Sequence, residues 1–130
     1  YWVFPEKKEI KSYEFDQFRL EVTSRRLLGR DNKIIPLPPK SLDILLLLVQ
    51  NNGELLTKDE LLSRIWSGQV VEENNLSVRI AALRKALGEN RGETVFIQTI
   101  PGQGYRFIAE VTKNIKTKIT EDPESPVSLA

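Results

Sequence analysis

The sequence of 130 residues contains no cysteine, no histidine and no methionine. Without cysteine, neither a disulfide framework nor a thiolate metal site can form. Without histidine as well, the chain lacks the usual general base at neutral pH and most side chains that bind transition metals. The neighbouring carboxylates at 59–60 and at 72–73 diverge by about 100 degrees on a helix, so neither pair can share a proton or a metal. We therefore expect no catalytic residues, no metal, no cofactor and no small-molecule substrate.

Long apolar runs and a strong excess of one charge are also missing. The longest apolar run, residues 44–49, falls far short of the roughly 20 residues that cross a bilayer, and it predicts a buried helix. The net charge is only +1, so a polyanionic partner would have to meet a local basic surface. The length and the 40% apolar content fit one compact domain with tails. Because the chain does not begin with methionine, we expect a fragment or non-native residues at its start.

The segment NNLSVRIAALRKALG, residues 74–88, has the period of an amphipathic helix. At the helical step of about 100 degrees its large aliphatic residues form one narrow stripe, which predicts the side facing the core. The opposite side carries amides, small apolar residues and cations, whereas an ordinary solvated face would carry more glutamate and lysine. This composition suits close approach to the major groove of DNA. The predicted core stripe is Leu76, Ile80, Leu83 and Leu87, and the opposite side has Asn74, Asn75, Val78, Ala81, Ala82 and Lys85, flanked by Arg79 and Arg84.

The residues that follow have the pattern of a β-hairpin. Residues 96–100 and 105–108 are rich in aromatic and β-branched residues, and PGQG at 101–104 predicts the turn between them. Its two glycines are too few for a phosphate-binding loop. Upstream, the pattern predicts short strands at 13–15, 18–22, 26–28 and 33–37 and a turn at 29–32. It also predicts a helix at 39–51, with Leu42, Leu45, Leu46 and Val49 facing inward. A capping box of Thr57 and Glu60 predicts the start of a second helix, with Trp66 in its core-facing side.

Three motifs, GELLTKDELLSRIW, LRKALG and IQTIPGQGYRF, resemble the effector domain of OmpR/PhoB-type bacterial transcription regulators. The resemblance covers roughly residues 13–110. It implies an α+β winged helix-turn-helix fold with a small N-terminal antiparallel sheet, three helices and a C-terminal β-hairpin wing. Residues 1–12 are then expected to be an N-terminal extension, 13–110 the DNA-binding domain, and 111–130 a flexible linker or tail.

The resemblance also implies how the domain would bind double-stranded DNA. Helix 74–87 is expected to lie in the major groove, and the turn 101–104 to lie at the adjacent minor groove. Family members often have arginine where Pro101 stands, and basic residues where Ala81 and Ala82 stand. These departures predict weaker binding by one copy and head-to-tail dimers on direct repeats. The expected contacts are Asn74, Asn75, Ser77 and Val78 at base edges, Val78, Ala81 and Ala82 at thymine methyl groups, Arg79, Arg84 and Lys85 at phosphates or guanine, Gln103 at a base or sugar, and Arg106 near the backbone.

Several alternatives stay open at this point. The two alanines are also good helix formers, and cations in the last helical turn are favoured by the helix dipole. The loop 67–73 is expected to contact RNA polymerase or a neighbouring subunit. In the CadC- and ToxR-like arrangement, a cytoplasmic winged helix precedes a linker and a helix that anchors the complete protein in the inner membrane, and this arrangement fits better than one with a receiver domain. The alternative function is a winged-helix protein-interaction module without DNA readout.

Overall fold

The computed structural model describes residues 6–67, 69–89 and 95–119, with side chains described between residues 10 and 115. Three helices pack against two antiparallel sheets, as the α+β winged helix-turn-helix prediction requires. A short 3-10 turn spans Arg30–Asn32. In chain order the elements are β1 (Glu6–Phe15), β2 (Phe18–Glu21), β3 (Arg26–Leu28), β4 (Ile34–Ile35), α1 (Pro39–Gln50), β5 (Leu55–Thr57), α2 (Lys58–Ile65), α3 (Glu73–Ala86), β6 (Ile97–Ile100), β7 (Gly104–Phe107) and β8 (Thr112–Ile119).

The larger sheet has five strands in the order β4-β3-β2-β1-β8. Its first four strands form the predicted N-terminal sheet, but β1 is longer than the strand predicted at 13–15. β8 pairs antiparallel with β1 from Glu14↔Thr112 to Glu6↔Ile119. Residues 6–12 of the expected N-terminal extension and residues 112–119 of the expected linker or tail thus lie in paired strands, and each segment supplies the backbone partners of the other. Residues 1–5 and 120–130 of the predicted extension and tail lie outside the described residues.

Helix α1 begins at Pro39 without a side-chain cap, because Pro38 occupies the N-cap position. The proline at the first helical position has the fixed φ that a helix needs and lacks an amide that would be left unpaired. The predicted inward residues Leu42, Leu45 and Val49 are buried, but Leu46 is only half-buried. Ile44 and Leu48 are completely buried instead. The helix ends before Gly53, whose φ of 85° lies in the left-handed region that glycine tolerates.

Helix α2 has the predicted capping box. The Thr57 hydroxyl accepts a hydrogen bond from the Glu60 amide at 3.1 Å, and the Glu60 carboxylate accepts one from the Thr57 amide at 3.3 Å. At the other end, the Lys40 ammonium donates to the Ile65 carbonyl at 2.9 Å. Trp66 is 8% exposed, which confirms that it belongs to the core. Both ends of this short helix are therefore fixed by side chains.

The smaller sheet has three strands in the order β5-β7-β6. The predicted hairpin forms its β6 and β7 strands, and β5 adds an edge strand that was not predicted. Gly104 allows this addition: a Cβ atom there would stand 2.0 Å from the Leu56 carbonyl oxygen and 2.8 Å from the Thr57 Cα. The wing is therefore joined through β5 to the start of α2.

Four phenylalanines join the two sheets beneath the helices. The ring centroid of Phe15 lies 5.0 Å from that of Phe107 and 5.8 Å from that of Phe96. Phe18 lies 5.6 Å from Phe96, and most of these pairs meet edge to face. Such aromatic pairs add about 0.5–1.5 kcal/mol each beyond the burial of their area. This cluster fixes the hairpin against the rest of the domain.

Candidate nucleic-acid interface

Helix α3 divides into a buried side and an exposed side, as its periodicity predicts. The stripe residues Leu76, Ile80, Leu83 and Leu87 are between 0% and 4% exposed. Val78 on the other side is 51% exposed. An exposed valine among amides and small residues leaves a mainly uncharged surface, with Lys85 at its far end, that can approach the floor of a groove closely. The exposed members of this surface are Asn74, Asn75, Ser77, Val78, Ala81 and Lys85, and the half-buried Ala82 lies beside them.

The two arginines that flank this surface differ from Lys85. Arg84 is half-buried, and its guanidinium donates to the Ile97 carbonyl at 3.1 Å and to the Thr99 hydroxyl at 2.5 Å. Arg79 is also half-buried, and its Nε atom is buried without a hydrogen-bond partner among the described residues. Lys85 is exposed. The structure therefore joins Arg84 to β6, which the sequence pattern did not predict, and leaves Lys85 extended toward solvent.

Glu89 strengthens the same junction between the end of α3 and the hairpin. Its carboxylate accepts a hydrogen bond from the Ile97 amide at 3.4 Å. Burial raises the pKa of the Glu89 carboxyl, while hydrogen bonds from backbone amides and the nearby Arg84 charge oppose that rise. Arg84 and Glu89 thus hold the hairpin strand from the helix side through both its carbonyl and its amide groups. Sequence reasoning missed Glu89, because its partner is set only by tertiary packing.

The tip of the wing is exposed and tightly turned. Pro101, Gly102 and Gln103 are all exposed, and Gly102 has a φ of 75°. The Gln103 carbonyl accepts a hydrogen bond from the Lys58 amide at 3.0 Å, which holds the tip against the start of α2. The Gln103 side chain is exposed, as a groove contact requires.

Arg106 lies away from this tip, on the middle strand of the small sheet. Its cross-strand neighbours are Leu55 on β5 and Gln98 on β6. The guanidinium donates to the Gln98 side-chain oxygen at 3.5 Å, and Arg106 is half-buried. The aromatic residues on this strand, Tyr105 and Phe107, are buried in the core and cannot serve as stacking platforms for bases.

An open cleft of about 440 Å³ separates the start of α3 from the wing tip. Across it, the Lys58 ammonium and the Glu73 carboxylate form an ion pair at 2.5 Å. The hydrogen bond to Glu73 raises the pKa of Lys58, because it favours the charged ammonium. Sequence reasoning missed Lys58. A cation directly after an N-cap is unusual, because the helix dipole disfavours positive charge there, and this position could have marked Lys58 as a candidate for contact with an anion. The residues that line the cleft are Thr57, Lys58, Asp59, Glu73, Gly102 and Gln103.

The loop before α3 is described at residue 67 and at residues 69–72. Val71 is half-buried and packs against the core, whereas the neighbouring Val70 is fully exposed. The loop therefore presents one large apolar side chain to solvent, next to the first turn of the exposed helix.

Comparison with known proteins decides the family. A family model described as "Transcriptional regulatory protein, C terminal" matches residues 31–107, which include all three helices and the hairpin. The chain belongs to this family. The resemblance to OmpR/PhoB-type winged-helix DNA-binding domains is thereby confirmed, and this is a family of transcription regulators rather than of enzymes.

Individual relatives agree with the family model. The chain is 38% identical over 97 residues to the transcriptional regulator HilA of Salmonella typhimurium, a match that covers 75% of this chain and 17% of HilA. It is similar to the DNA-binding domain of Escherichia coli CadC, with a TM-score of 0.71, 25% identity, and coverage of 83% of this chain and 100% of that one. The Klebsiella pneumoniae RstA DNA-binding domain, in complex with the RstA box, has a TM-score of 0.65 at 25% identity and covers 75% of this chain and 97% of its own.

The chain spans only 17% of the length of HilA, so these matches describe the domain and not a complete regulator. Within residues 6–67, 69–89 and 95–119, no helix is both long enough and apolar enough to cross a membrane.

Proposed function

We propose that this domain binds double-stranded DNA sequence-specifically, with α3 in the major groove and the wing turn 101–104 at the adjacent minor groove. The observation that supports this proposal most strongly is the composition of the exposed side of α3. It has amides, a serine and a half-exposed valine where an ordinary solvated face would have charged residues. Asn74, Asn75, Ser77 and Val78 are near the end of the helix that faces the wing, as base contacts should be. The RstA domain, which has the same fold, is bound to its DNA box.

The remaining expected contacts take different roles in this proposal. Arg79 and Lys85 approach phosphates, Ala81 and Ala82 approach thymine methyl groups, and Gln103 contacts a base or sugar in the minor groove. Arg106, on the small sheet opposite Leu55, lies near the DNA backbone rather than at a base. Arg84 acts mainly by holding β6, because its guanidinium already has two acceptors.

The first experiment is selection of this chain on a pool of random duplexes, followed by binding of the enriched sequences at two salt concentrations. The proposal expects a recurring motif whose affinity falls steeply with added salt, because phosphate contacts release counterions. Replacing Lys85 with alanine should weaken binding to all sequences, whereas replacing Asn74 or Val78 should change the preference between sequences. An interaction that is insensitive to salt, without any enriched motif, would instead favour a protein-interaction module.

We also propose partners beyond the DNA. Val70, exposed in the loop before α3, supports a contact of this loop with RNA polymerase. The alanines at positions 81 and 82 leave few cations on α3, and this supports head-to-tail pairing of two copies on direct repeats. Analytical ultracentrifugation with one and two half-sites tests the pairing, and transcription with a Val70→Asp variant tests the loop.

The complete protein is proposed to be a non-enzymatic regulator of the CadC- and ToxR-like kind, whose DNA-binding domain works in the cytoplasm while a separate helix anchors it in the inner membrane. Similarity to the CadC DNA-binding domain over 83% of this chain supports this arrangement. Fractionation of the full-length protein tests it: recovery in the soluble fraction would contradict the anchor.

A further inference from the structure

We propose that Glu73 holds, in the free domain, the place that a DNA backbone phosphate takes in the complex, so that binding exchanges a carboxylate for a phosphodiester on Lys58. This inference rests on the proposed function. It adds a phosphate contact at Lys58, outside α3, and a carboxylate at Glu73 that competes with the phosphate for that contact. Its starting point is the cleft between α3 and the wing tip.

The position of the cleft follows from how a winged helix meets a duplex. If α3 lies in the major groove and the turn 101–104 lies at the adjacent minor groove, one sugar-phosphate backbone must pass between them, because a backbone separates the two grooves. The cleft is lined by Glu73 from the first turn of α3, by Gly102 and Gln103 from the wing, and by Asp59 beside Lys58 at the start of α2. Its volume of about 440 Å³ is open to solvent, so a backbone segment can enter without displacing the core.

Lys58 is the only cation among the residues that line this cleft in the described part of the chain. Its amide is fixed to the Gln103 carbonyl at 3.0 Å, while its ammonium reaches Glu73 at 2.5 Å. The backbone of Lys58 is thus held at the wing, and only the flexible side chain has to change partner. The side chains of Lys58 and Glu73 are 32% and 57% exposed, so this is a solvent-screened pair of the kind that contributes little to stability.

A phosphate oxygen and a carboxylate oxygen are chemically similar acceptors for an ammonium group. The two anions cannot share the cleft favourably, since like charges a few ångströms apart repel each other. Binding therefore separates the pair, and Glu73 is left beside the incoming backbone. The domain with the Lys58–Glu73 ion pair therefore binds DNA more weakly than the same domain would without the Glu73 carboxylate.

A double-mutant cycle with the selected duplex tests the exchange. The variants are Glu73→Gln, Lys58→Ala and the two together, and Glu72→Gln is the matched control because Glu72 is exposed but does not line the cleft. We expect Glu73→Gln to tighten binding about fivefold, and Lys58→Ala to weaken it about fivefold while lowering the slope of log affinity against log salt by about one. In the Lys58→Ala background, Glu73→Gln should change affinity less than about twofold, because no ammonium remains to be released.

Equal tightening by Glu73→Gln in both backgrounds would overturn the exchange, because the carboxylate would then act only by general repulsion. Equal effects of Glu72→Gln and Glu73→Gln, or no effect of Glu73→Gln, would overturn it as well. Circular dichroism of each variant establishes that it is folded before binding is compared. If the unmodified chain enriches no sequence and shows no salt-sensitive binding, the proposed function itself fails, a result separate from any outcome of the cycle.

Discussion

Replacing Gly104 with alanine tests whether the wing depends on the close approach of β5 to β7. The new Cβ atom would stand 2.0 Å from the Leu56 carbonyl oxygen, and 2.9 Å or less from two further backbone atoms of β5. Because all three neighbours are backbone atoms, no side chain can turn aside to make room. Restoring an ordinary carbon–oxygen contact of about 3.4 Å requires the two strands to separate by about 1.4 Å.

This separation gives the expected magnitude. Backbone hydrogen bonds lengthened by about 1.4 Å are broken, and each contributes about 1 kcal/mol net. The affected bonds are the two that the backbones of Leu56 and Tyr105 exchange and the one from the Lys58 amide to the Gln103 carbonyl. We expect the free energy of unfolding to fall by about 3 kcal/mol, at the upper end of the usual cost of overpacking. The melting temperature should fall by about 10 °C.

Gly102→Ala is the matched control, to be compared by urea denaturation and by binding to the selected duplex. In the part of the chain that the structure describes, no atom lies within 4 Å of a Cβ atom at this position, but its φ of 75° is unfavourable for alanine. The control should therefore lose only about 1 kcal/mol, the cost of a left-handed alanine. If both variants lost the same stability, or if Gly104→Ala lost less, the argument from the β5 contact would be refuted.

Three further predictions concern single side chains. Thr57→Ala should lower the free energy of unfolding by about 1 kcal/mol in urea denaturation, because the cap to Glu60 is lost, whereas Thr57→Ser should retain most of it. Arg84→Ala should cost about 1–2 kcal/mol of stability and leave the salt slope of DNA binding unchanged, whereas Lys85→Ala should do the reverse; equal slope losses would show that Arg84 contacts phosphate. Burial raises the pKa of Glu89 in the folded state, so the folded state binds more protons than the unfolded chain and stability falls as pH rises from the ordinary value of 4.5 through the folded value. Denaturation of the native chain and of Glu89→Gln should be compared across that pH range. The fall in stability caused by Glu89 should appear only in the native chain.

The helical parts of the fold could be predicted from the sequence because their signals are local. The stripe on α3 repeats with the helical period, and Thr57 and Glu60 stand at the spacing of a capping box. In α1, residues 44–49 are all apolar, so the helical period cannot show which of them face the core. The sequence predicts that Leu46 faces inward, whereas the structure buries Leu48 and leaves Leu46 half-buried.

The missed strands depend on partners distant in the chain. Strand β5 has only three residues, too few to show alternation, and it becomes a strand because Gly104 lets β7 approach it. Strand β8 is mostly polar, as edge strands commonly are, so its composition resembled a tail. The hydrogen bonds between Arg84 and β6 are likewise tertiary: an arginine in the last turn of a helix gives no sequence signal of a hydrogen bond to Thr99, fifteen residues later.

The pairing of β1 with β8 also has a mechanical consequence. Glu6 lies opposite Ile119, and Glu14 lies opposite Thr112, so the outer ends of both strands are at the same end of the ribbon. A force that pulls residues 6 and 119 apart therefore acts on one pair of backbone partners at a time, beginning at this end, and not on all pairs of the two strands together. We therefore expect the ribbon to open at a lower force than two strands pulled in shear. A pull on residue 119 is thus absorbed along eight residues of β8 before it can reach the core that orients α3.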